Sequence, residues 1–378
     1  MDTNFGTSTP YSLGIEEEFQ ILDAETLGLA PRIESLLAEL DGSPQGDRVK
    51  PELLQSVVEV STRIATTVPE AIDDLADLRF RLRHAAGEHD ASIAAAGTHP
   101  FSRYDRQEIT ERPRYVRLAQ HLRWLASRQA IFGLHVHVGI GSADKAAACA
   151  SGLRCLLPAL LAVSANSPFW QGRATGFAST RTKVNEALPR SGLPPVFGSF
   201  AGFEAYVEAG VRAGCFPDYT HIWWDIRPHP RFGTLEIRIC DAQTRLESVA
   251  AVAALVQSLV ATIGGEVDCG ASPVAVPEVV VEENRWRAAR DGLDAVLITD
   301  DGGAERPVRD VVLELVDRCL PAAEVLGCAV ELEGVEQIVD RGSGADEQRR
   351  VYEETGSLVG VTRWLVDQTA VYDAAGRR

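Results

Sequence analysis

Three consecutive carboxylates, Glu16, Glu17 and Glu18, sit in the run Gly14-Ile15-Glu16-Glu17-Glu18-Phe19-Gln20-Ile21. The apolar flanks make this a strand rather than an acidic tail, and successive side chains of a strand point to opposite faces. Glu16 and Glu18 therefore share one face, with Glu17 on the other beside Ile15, Phe19 and Ile21. Two carboxylates held that close repel unless a cation lies between them, and a divalent metal with hard oxygen ligands meets the need. Taken alone, the run favours an edge strand with a solvated acidic face. Three further segments of the same kind shift the balance towards a metal site.

The second segment offers Glu52 and Glu59. Glu59 lies within Val57-Val58-Glu59-Val60, where a charge among β-branched residues needs a partner, either a metal or an arginine. Glu52 and Glu59 do not share a face of a regular strand, so a common site requires a bulge or a break near Pro51. The third is Gly133-Leu134-His135-Val136-His137-Val138-Gly139. Alternation puts both imidazoles on one face, able to ligate a metal or donate to phosphate oxygens, and the flanking glycines permit close approach. The fourth is Gly233-Thr234-Leu235-Glu236-Ile237-Arg238-Ile239-Cys240-Asp241. Glu236, Arg238 and Cys240 share a face there, and a salt bridge on the sheet is the simple reading of the charged pair. Together the four segments describe one sheet whose polar face serves as a reaction floor.

Carboxylates outnumber histidines among these groups and no cysteine ligand pattern occurs, which favours Mg²⁺ or Mn²⁺ over zinc. Arg173, Arg181, Arg190, Arg227 and Arg238 can cradle phosphates or a substrate carboxylate, and Arg181 and Arg238 stand next to other candidates. No Walker A sequence is present, and no G-x-G-x-x-G follows a strand.

The elements that must position these groups follow from periodicity and punctuation. A short helix is expected over 31–40 and a strand at the end of 48–64. Thr67 and Pro69 open a long helix to about residue 90, with its charges on a solvated face. A strand over 92–97, a helix over 113–129, a strand over 132–140 and a helix capped by Ser142 and running to 165 follow. Residues 166–201 are rich in Gly, Pro, Ser and Arg, and their aromatics argue for an ordered, functional connection. A helix over 203–213 precedes an antiparallel hairpin of 219–227 with 234–241. Helices are then expected over 245–263, 277–293, 307–327, 331–340 and 345–372, with connecting loops at 264–277 and 300–306. Strands that do not alternate with helices, followed by a helical third, give an α+β fold with an antiparallel sheet.

The 378 residues suffice for one large domain or two ordinary ones. A net charge of −17 opposes general binding to nucleic acid or to an anionic membrane. Seven cysteines without a C-x-x-C pair read as buried free thiols in a reducing compartment. The first ten residues lack a leader pattern, and no uncharged apolar stretch is expected to span a bilayer. These features point to a cytoplasmic enzyme or binding protein.

Six motifs carry a resemblance. They are Gly-Ile-Glu-Glu-Glu-Phe, Gly-Leu-His-Val-His-Val-Gly, Ser-Ala-Asn-Ser-Pro-Phe-Trp-Gln-Gly, Leu-Pro-Arg-Ser-Gly-Leu-Pro, the run Trp224 to Asp241, and the run Asn284 to Ala295. In this order the chain resembles the type 2 glutamate–cysteine ligases, a carboxylate–amine ligase family, over about residues 11–295. The resemblance implies a glutamine-synthetase-like fold in which an antiparallel sheet forms a funnel for ATP and two or three Mg²⁺ ions, with helices outside it. It implies a single catalytic domain over 1–378, its sheet in about 11–245 and its helices in about 246–378. By motif position, Glu16, Glu18, Glu52, Glu59, His137 and Glu236 are metal ligands. His137, or His135 beside it, touches metal or phosphate. Arg238 contacts the transferred phosphoryl group, with Glu236 and Arg181 as its catalytic companions, and Asn284 and Arg285 border the nucleotide site.

The implied reaction joins an acid to an amine through an acyl phosphate, by default L-glutamate to L-cysteine. The implied partners are ATP and small amino acids or amines, and a homodimer is suggested. This chain has Ala174 and Thr180 where the family pattern has an aspartate and an aromatic residue, in a loop expected to shape the acceptor pocket. Two other readings compete. One is a metal-dependent hydrolase using His135-x-His137, a motif that normally opens a β/α barrel. The other is a non-catalytic nucleotide-binding relative, which need not keep every ligand.

Overall fold

A computed structural model of the chain describes residues 1–271, 276–300 and 302–371. Strand β1 (Leu13–Asp23) alternates buried and half-buried residues over its first half and is continuously buried from Phe19 to Leu22. Helix α1 (Ile33–Leu40) buries Ile33, Leu36 and Leu40, one stripe of a helical face. Strands β2 (Val49–Pro51) and β3 (Val57–Ser61) follow, and Thr67 caps α2 (Val68–Gly87) by accepting from the amide of Glu70. After β4 (Ala91–Ala94), the helix expected over 113–129 is split into α3 (Pro113–Leu122) and α4 (Trp124–Ser127). Arg123 lies between them at φ 56°, which no helix accommodates. Strand β5 (Leu134–Gly139) leads into α5 (Ala143–Leu153) and α6 (Leu157–Ser164), separated by one tight turn at 154–156; Pro158, in the first turn of α6, has no amide to donate back across it.

The connection expected over 166–201 is built from short elements. It contains the hairpin β6 (Phe169–Trp170) and β7 (Arg173–Ala174), then α7 (Thr180–Asn185) and β8 (Ser191–Gly192). Helix α8 (Phe200–Arg212) precedes β9 (Trp223–Trp224), which pairs with β8, and the hairpin β10 (Ile226–His229) and β11 (Thr234–Ile237). That hairpin is shorter than expected because residues 219–221 close a tight turn of their own.

The remaining helices are α9 (Leu246–Asp268), α10 (Glu278–Asp291), α11 (Val308–Leu326), α12 (Ala329–Arg341), α13 (Gly344–Thr355) and α14 (Leu358–Thr369). The helix expected over 345–372 divides where Gly356 takes φ 63° and Ser357 caps α14. Its last residue lies outside the described residues, as do 272–275 of the expected 264–277 loop and residue 301. The sequence reading missed a small hairpin, β12 (Val296–Ile298) with β13 (Glu305–Pro307), which frames the expected 300–306 loop.

The main sheet has seven antiparallel strands in the order β10-β11-β5-β1-β3-β2, with β4 pairing to the far end of β1. This is the antiparallel α+β architecture expected, not a parallel barrel. Its apolar face packs on α2 and α9 in one large core. Helix α9 and the stretch Ala143–Ser164 are long and apolar enough to cross a membrane by length and composition, contrary to the sequence expectation, but each is 78% buried inside the protein. All seven cysteines are free; Cys215 and Cys269 are exposed rather than buried.

Two charges on α2, Asp74 and Arg79, depart from the solvated face expected of it, and Asp74 pairs with Arg48 and Arg63. Arg79 is buried, and its guanidinium donates to both carboxylate oxygens of Glu17 at 2.9 and 2.6 Å and to the carbonyls of Gln243 and Thr244. Glu17 thus sits on the core face of β1 with a complete partner, which frees Glu16 and Glu18 to face the other way.

Candidate functional site

Antiparallel pairing turns four separate stretches of sequence into one surface. Glu16 lies opposite His135, Glu18 opposite Glu59, His137 opposite Glu236, and Glu236 opposite Arg227. Residues in register share a face, so these side chains form a diagonal from β10 across to Lys50 on β2, opposite Glu59. Glu52 escapes alternation because it follows β2 in the connection to β3, where the chain breaks just past Pro51.

Three sets of potential ligand atoms result. They are Glu16, His137 and Glu236; Glu16, Glu59 and His135; and Glu18, Glu52 and Glu59, with the atoms of each set within 4.8 Å of one another. Glu16 and Glu59 belong to two sets each, so the three are continuous. His135 Nδ1 and His137 Nε2 lie 3.5 and 3.6 Å from Glu16 Oε2, and His137 Nε2 lies 3.9 Å from Glu236 Oε1. Neither nitrogen has a hydrogen-bond partner among the described residues. The other nitrogen of His137, Nδ1, is 3.0 Å from Thr234 Oγ1, a contact that leaves Nε2 as a bare acceptor when Nδ1 carries the proton. The two imidazoles serve different sets, which is unlike a shared His-x-His metal site.

The electrostatics are unbalanced without a cation. Burial pushes Glu59 well above the ordinary carboxylate range, and Glu16 and Glu52 push the same way. Burial and the neighbouring Glu18 bring Glu52 up to about 7. Burial also acts upward on Glu16 and Glu236, but His137 and His135 hold Glu16 well below its usual value, and Arg227 and Arg238 do so for Glu236. Burial lowers His137, but Glu16 and Glu236 outweigh it and leave the imidazole above its usual value. Crowded buried carboxylates and two bare imidazole nitrogens form a donor set that fits divalent cations, and its oxygen-rich chemistry suits Mg²⁺ or Mn²⁺.

A measurable linkage follows. Without metal, Glu52 and Glu59 keep protons in the folded chain that the unfolded chain releases above its value of 4.5, up to about 7 for Glu52. Their contribution to stability therefore falls as pH rises through that window. A bound cation ionises both, so Mg²⁺ should raise the thermal midpoint of EDTA-treated protein more at about pH 8 than at about pH 5.5. Equal shifts at both, measured by scanning calorimetry, would count against a site built on these carboxylates.

The polar face lines a cavity of about 530 Å³, within the roughly 300–1,000 Å³ range of small-molecule sites. Arg114 and Tyr115 of α3 wall it at the β2 edge, where the Tyr115 hydroxyl donates to the carbonyl of Pro51. Tyr219, His229 and Phe232 wall it at the β10 edge, with His229 and Phe232 stacked 4.2 Å apart. Arg238 enters beside Glu236, to which it donates, and Arg227 grips the other oxygen of Glu236 at 2.7 Å. The salt-bridge reading of this strand is therefore also realised.

Arg181 reaches the cavity from α7, donating to the carbonyls of Ile239 and Arg238 at 3.2 and 3.1 Å. Gly133 makes room for it: a Cβ there would stand 2.4 Å from Arg181 Nη2 and 2.8 Å from His135 Nε2. Asp241 anchors the same region, accepting from the Asn166 amide at 2.8 Å and from the hydroxyls of Ser167 and Ser179 at 2.6 and 2.9 Å. Ser179 in turn caps α7. Asp241→Asn replaces an acceptor with a donor facing donors, and should lower stability by about 2 kcal/mol. Urea unfolding checks this, and an unchanged midpoint would show the network to be dispensable.

The remaining candidates lie elsewhere. Asn284 does not line the cavity; it donates to and accepts from Ile298 at 2.7 Å each way, fastening β12 to α10. Arg285, also outside the lining, pairs with Asp225 and Glu186. Arg173 is exposed, and Arg190 donates to the carbonyl of His221 while packing over Phe216 and Trp223. Ala174 and Thr180 face a different cavity, so the loop positions expected to shape the acceptor pocket are not beside this one. Sequence reasoning missed Lys50, Arg114, Tyr115, His229 and Phe232. A cation on an amphipathic helix and an aromatic pair around a Pro-His-Pro turn carry no strand alternation to mark them.

Comparison with known proteins adds an independent line. The family described as Glutamate-cysteine ligase family 2 (GCS2) matches residues 12–363. Two proteins of Rubrobacter xylanophilus with the provisional names glutamate–cysteine ligase 2-1 and 2-3 are 44% and 45% identical. The first alignment covers 95% of each chain, the second 98% of this chain and 100% of the relative. Among solved structures, glutamate–cysteine ligase of Francisella tularensis in complex with AMP superposes with a TM-score of 0.73 at 15% identity, over 99% of this chain and 92% of that one. A bifunctional glutathione synthetase from Pasteurella multocida gives 0.67 at 16% identity, over 95% of this chain and 52% of that one. At such identities the structural likeness speaks to the fold.

Proposed function

This chain belongs to glutamate–cysteine ligase family 2 and is an ATP-dependent carboxylate–amine ligase; from that premise we propose that it joins L-glutamate to L-cysteine, with release of ADP and phosphate. The observation that carries the site assignment is the unbroken line of seven potential metal ligands along one wall of the cavity. Glu16, His137 and Glu236 would hold one cation, and Glu18, Glu52 and Glu59 another, with His135 completing a set between them. When bound, the cations supply the positive charge that offsets repulsion between ATP and the attacking carboxylate.

The chain's own residues do the rest. Arg238 and Arg181 direct guanidinium groups into the cavity, where they stabilise charge on the phosphoryl group in flight. An oxygen of the acid attacks the γ-phosphorus, ADP departs, and an acyl phosphate forms. The amine then attacks the acyl carbon and phosphate leaves, giving the amide. Arg114, at the carboxylate-rich edge, is suited to hold the acid substrate's second carboxylate, and the aromatic edge at His229 and Phe232 suits a nucleotide base.

An ADP-release assay with Mg²⁺ and ATP against a matrix of amino acids and amines tests the reading. Glutamate with cysteine should give the largest signal, and EDTA should abolish it. A different pair would replace the substrates while keeping the reaction class. No pair exceeding a Glu16→Gln control would remove the assignment.

A further inference from the structure

We propose that a second cavity, across α7 from the catalytic one, is a binding site for a small aromatic phosphate or carboxylate. The cavity measures about 310 Å³ and shares no lining residue with the first. Its walls include Arg128, Arg173 and Lys183, two aromatic side chains, Trp170 and Phe177, and no carboxylate. In a chain of net charge −17, three cations converging on one hollow without an acid is a local inversion of the surface.

Arg128 is the central group. Its guanidinium carbon lies 4.7 Å from the Trp124 ring centre and 5.5 Å from that of Trp170, and its buried Nε has no hydrogen-bond partner among the described residues. Neither Arg128 nor Arg173 takes part in an ion pair among the described residues. Lys183 is paired with Glu186 at 2.5 Å, a carboxylate it shares with Arg285, which also pairs with Asp225, so Arg128 and Arg173 are the cations of this hollow without an acid among the described residues. A guanidinium packed near two rings and free of an ion pair can donate to a carboxylate or phosphate. Trp170 is buried, stacked on Tyr104 at 5.5 Å and covered by Arg128, so the half-buried Phe177 gives a flat body its stacking surface. The small side chains of Ala174 and Thr180 leave space for one ring.

Calorimetric titration of the full chain tests this, with Mg²⁺ and a non-hydrolysable ATP analogue filling the catalytic cavity. Phenyl phosphate and benzoate are the probes, and inorganic phosphate and benzyl alcohol separate charge from ring. At least one aromatic anion should bind at one site and more tightly than either control, and the better of the two identifies the head group. Arg128→Gln should weaken it about tenfold or more, the loss of one charge-assisted hydrogen bond. Arg173→Gln, at an exposed position that does not support the fold, should weaken it as well. Absence of binding by both probes, binding insensitive to both substitutions, or binding abolished by the nucleotide analogue would overturn the proposal.

Discussion

Glu16→Gln should leave the fold intact and lower ATP-dependent turnover by about a thousandfold or more. Glu16 is shared by two of the three ligand sets and is the carboxylate both imidazoles face. The amide keeps the shape but removes the charge, so it weakens two cation positions at once. The fold should persist with at most a modest loss of stability, because the substitution relieves the repulsion that Glu16 exerts on Glu59 while giving up its attraction to His137 and His135. Measured by ADP release at saturating ATP and Mg²⁺, with a thermal midpoint recorded in parallel, the result should be a stable and nearly inactive protein. Turnover within about tenfold of wild type would mean that the cations are held elsewhere.

Arg79→Met should be the most damaging single change to stability, by about 3–5 kcal/mol. It leaves the Glu17 carboxylate buried without its partner, and it strips the donors from the carbonyls of Gln243 and Thr244. The guanidinium binds α2, β1 and the segment after β11 at one point, directly behind the strand that presents Glu16 and Glu18. Replacing both partners, as Glu17→Met with Arg79→Met, removes the stranded charge and should recover much of the loss, since the desolvation penalty of the pair disappears with it. Urea midpoints of the two single variants and the double variant measure the coupling. A single Arg79→Met variant within about 1 kcal/mol of wild type would show that the pair contributes little.

Most of the candidate site was legible because strand alternation is a strict rule. Glu16 with Glu18, His135 with His137, and Glu236 with Arg238 each announce a shared face two residues apart, and the sheet order then brings those faces together. Glu52 was legible only as a conditional, because its position depends on a chain break after Pro51 rather than on periodicity. The partner of Glu17 was not legible: Arg79 is one of several arginines on an amphipathic helix, and only the packing of α2 on β1 distinguishes it. Asn284 and Arg285 show the converse. Their motif is distinctive, yet in the structure they satisfy a backbone strand and two buried acids, a task no local pattern reveals. The helix breaks at Arg123 and Gly356 were missed for a related reason, since continuous apolar periodicity outweighed one residue with positive φ.

The most direct measurement is the anomalous scattering of Mn²⁺ in crystals of the full chain grown with a non-hydrolysable ATP analogue. The account predicts metal peaks among Glu16, His137 and Glu236 and among Glu18, Glu52 and Glu59, with the triphosphate between the sheet and Arg238. Nucleotide bound with no metal at either set, or bound in another part of the molecule, would contradict it.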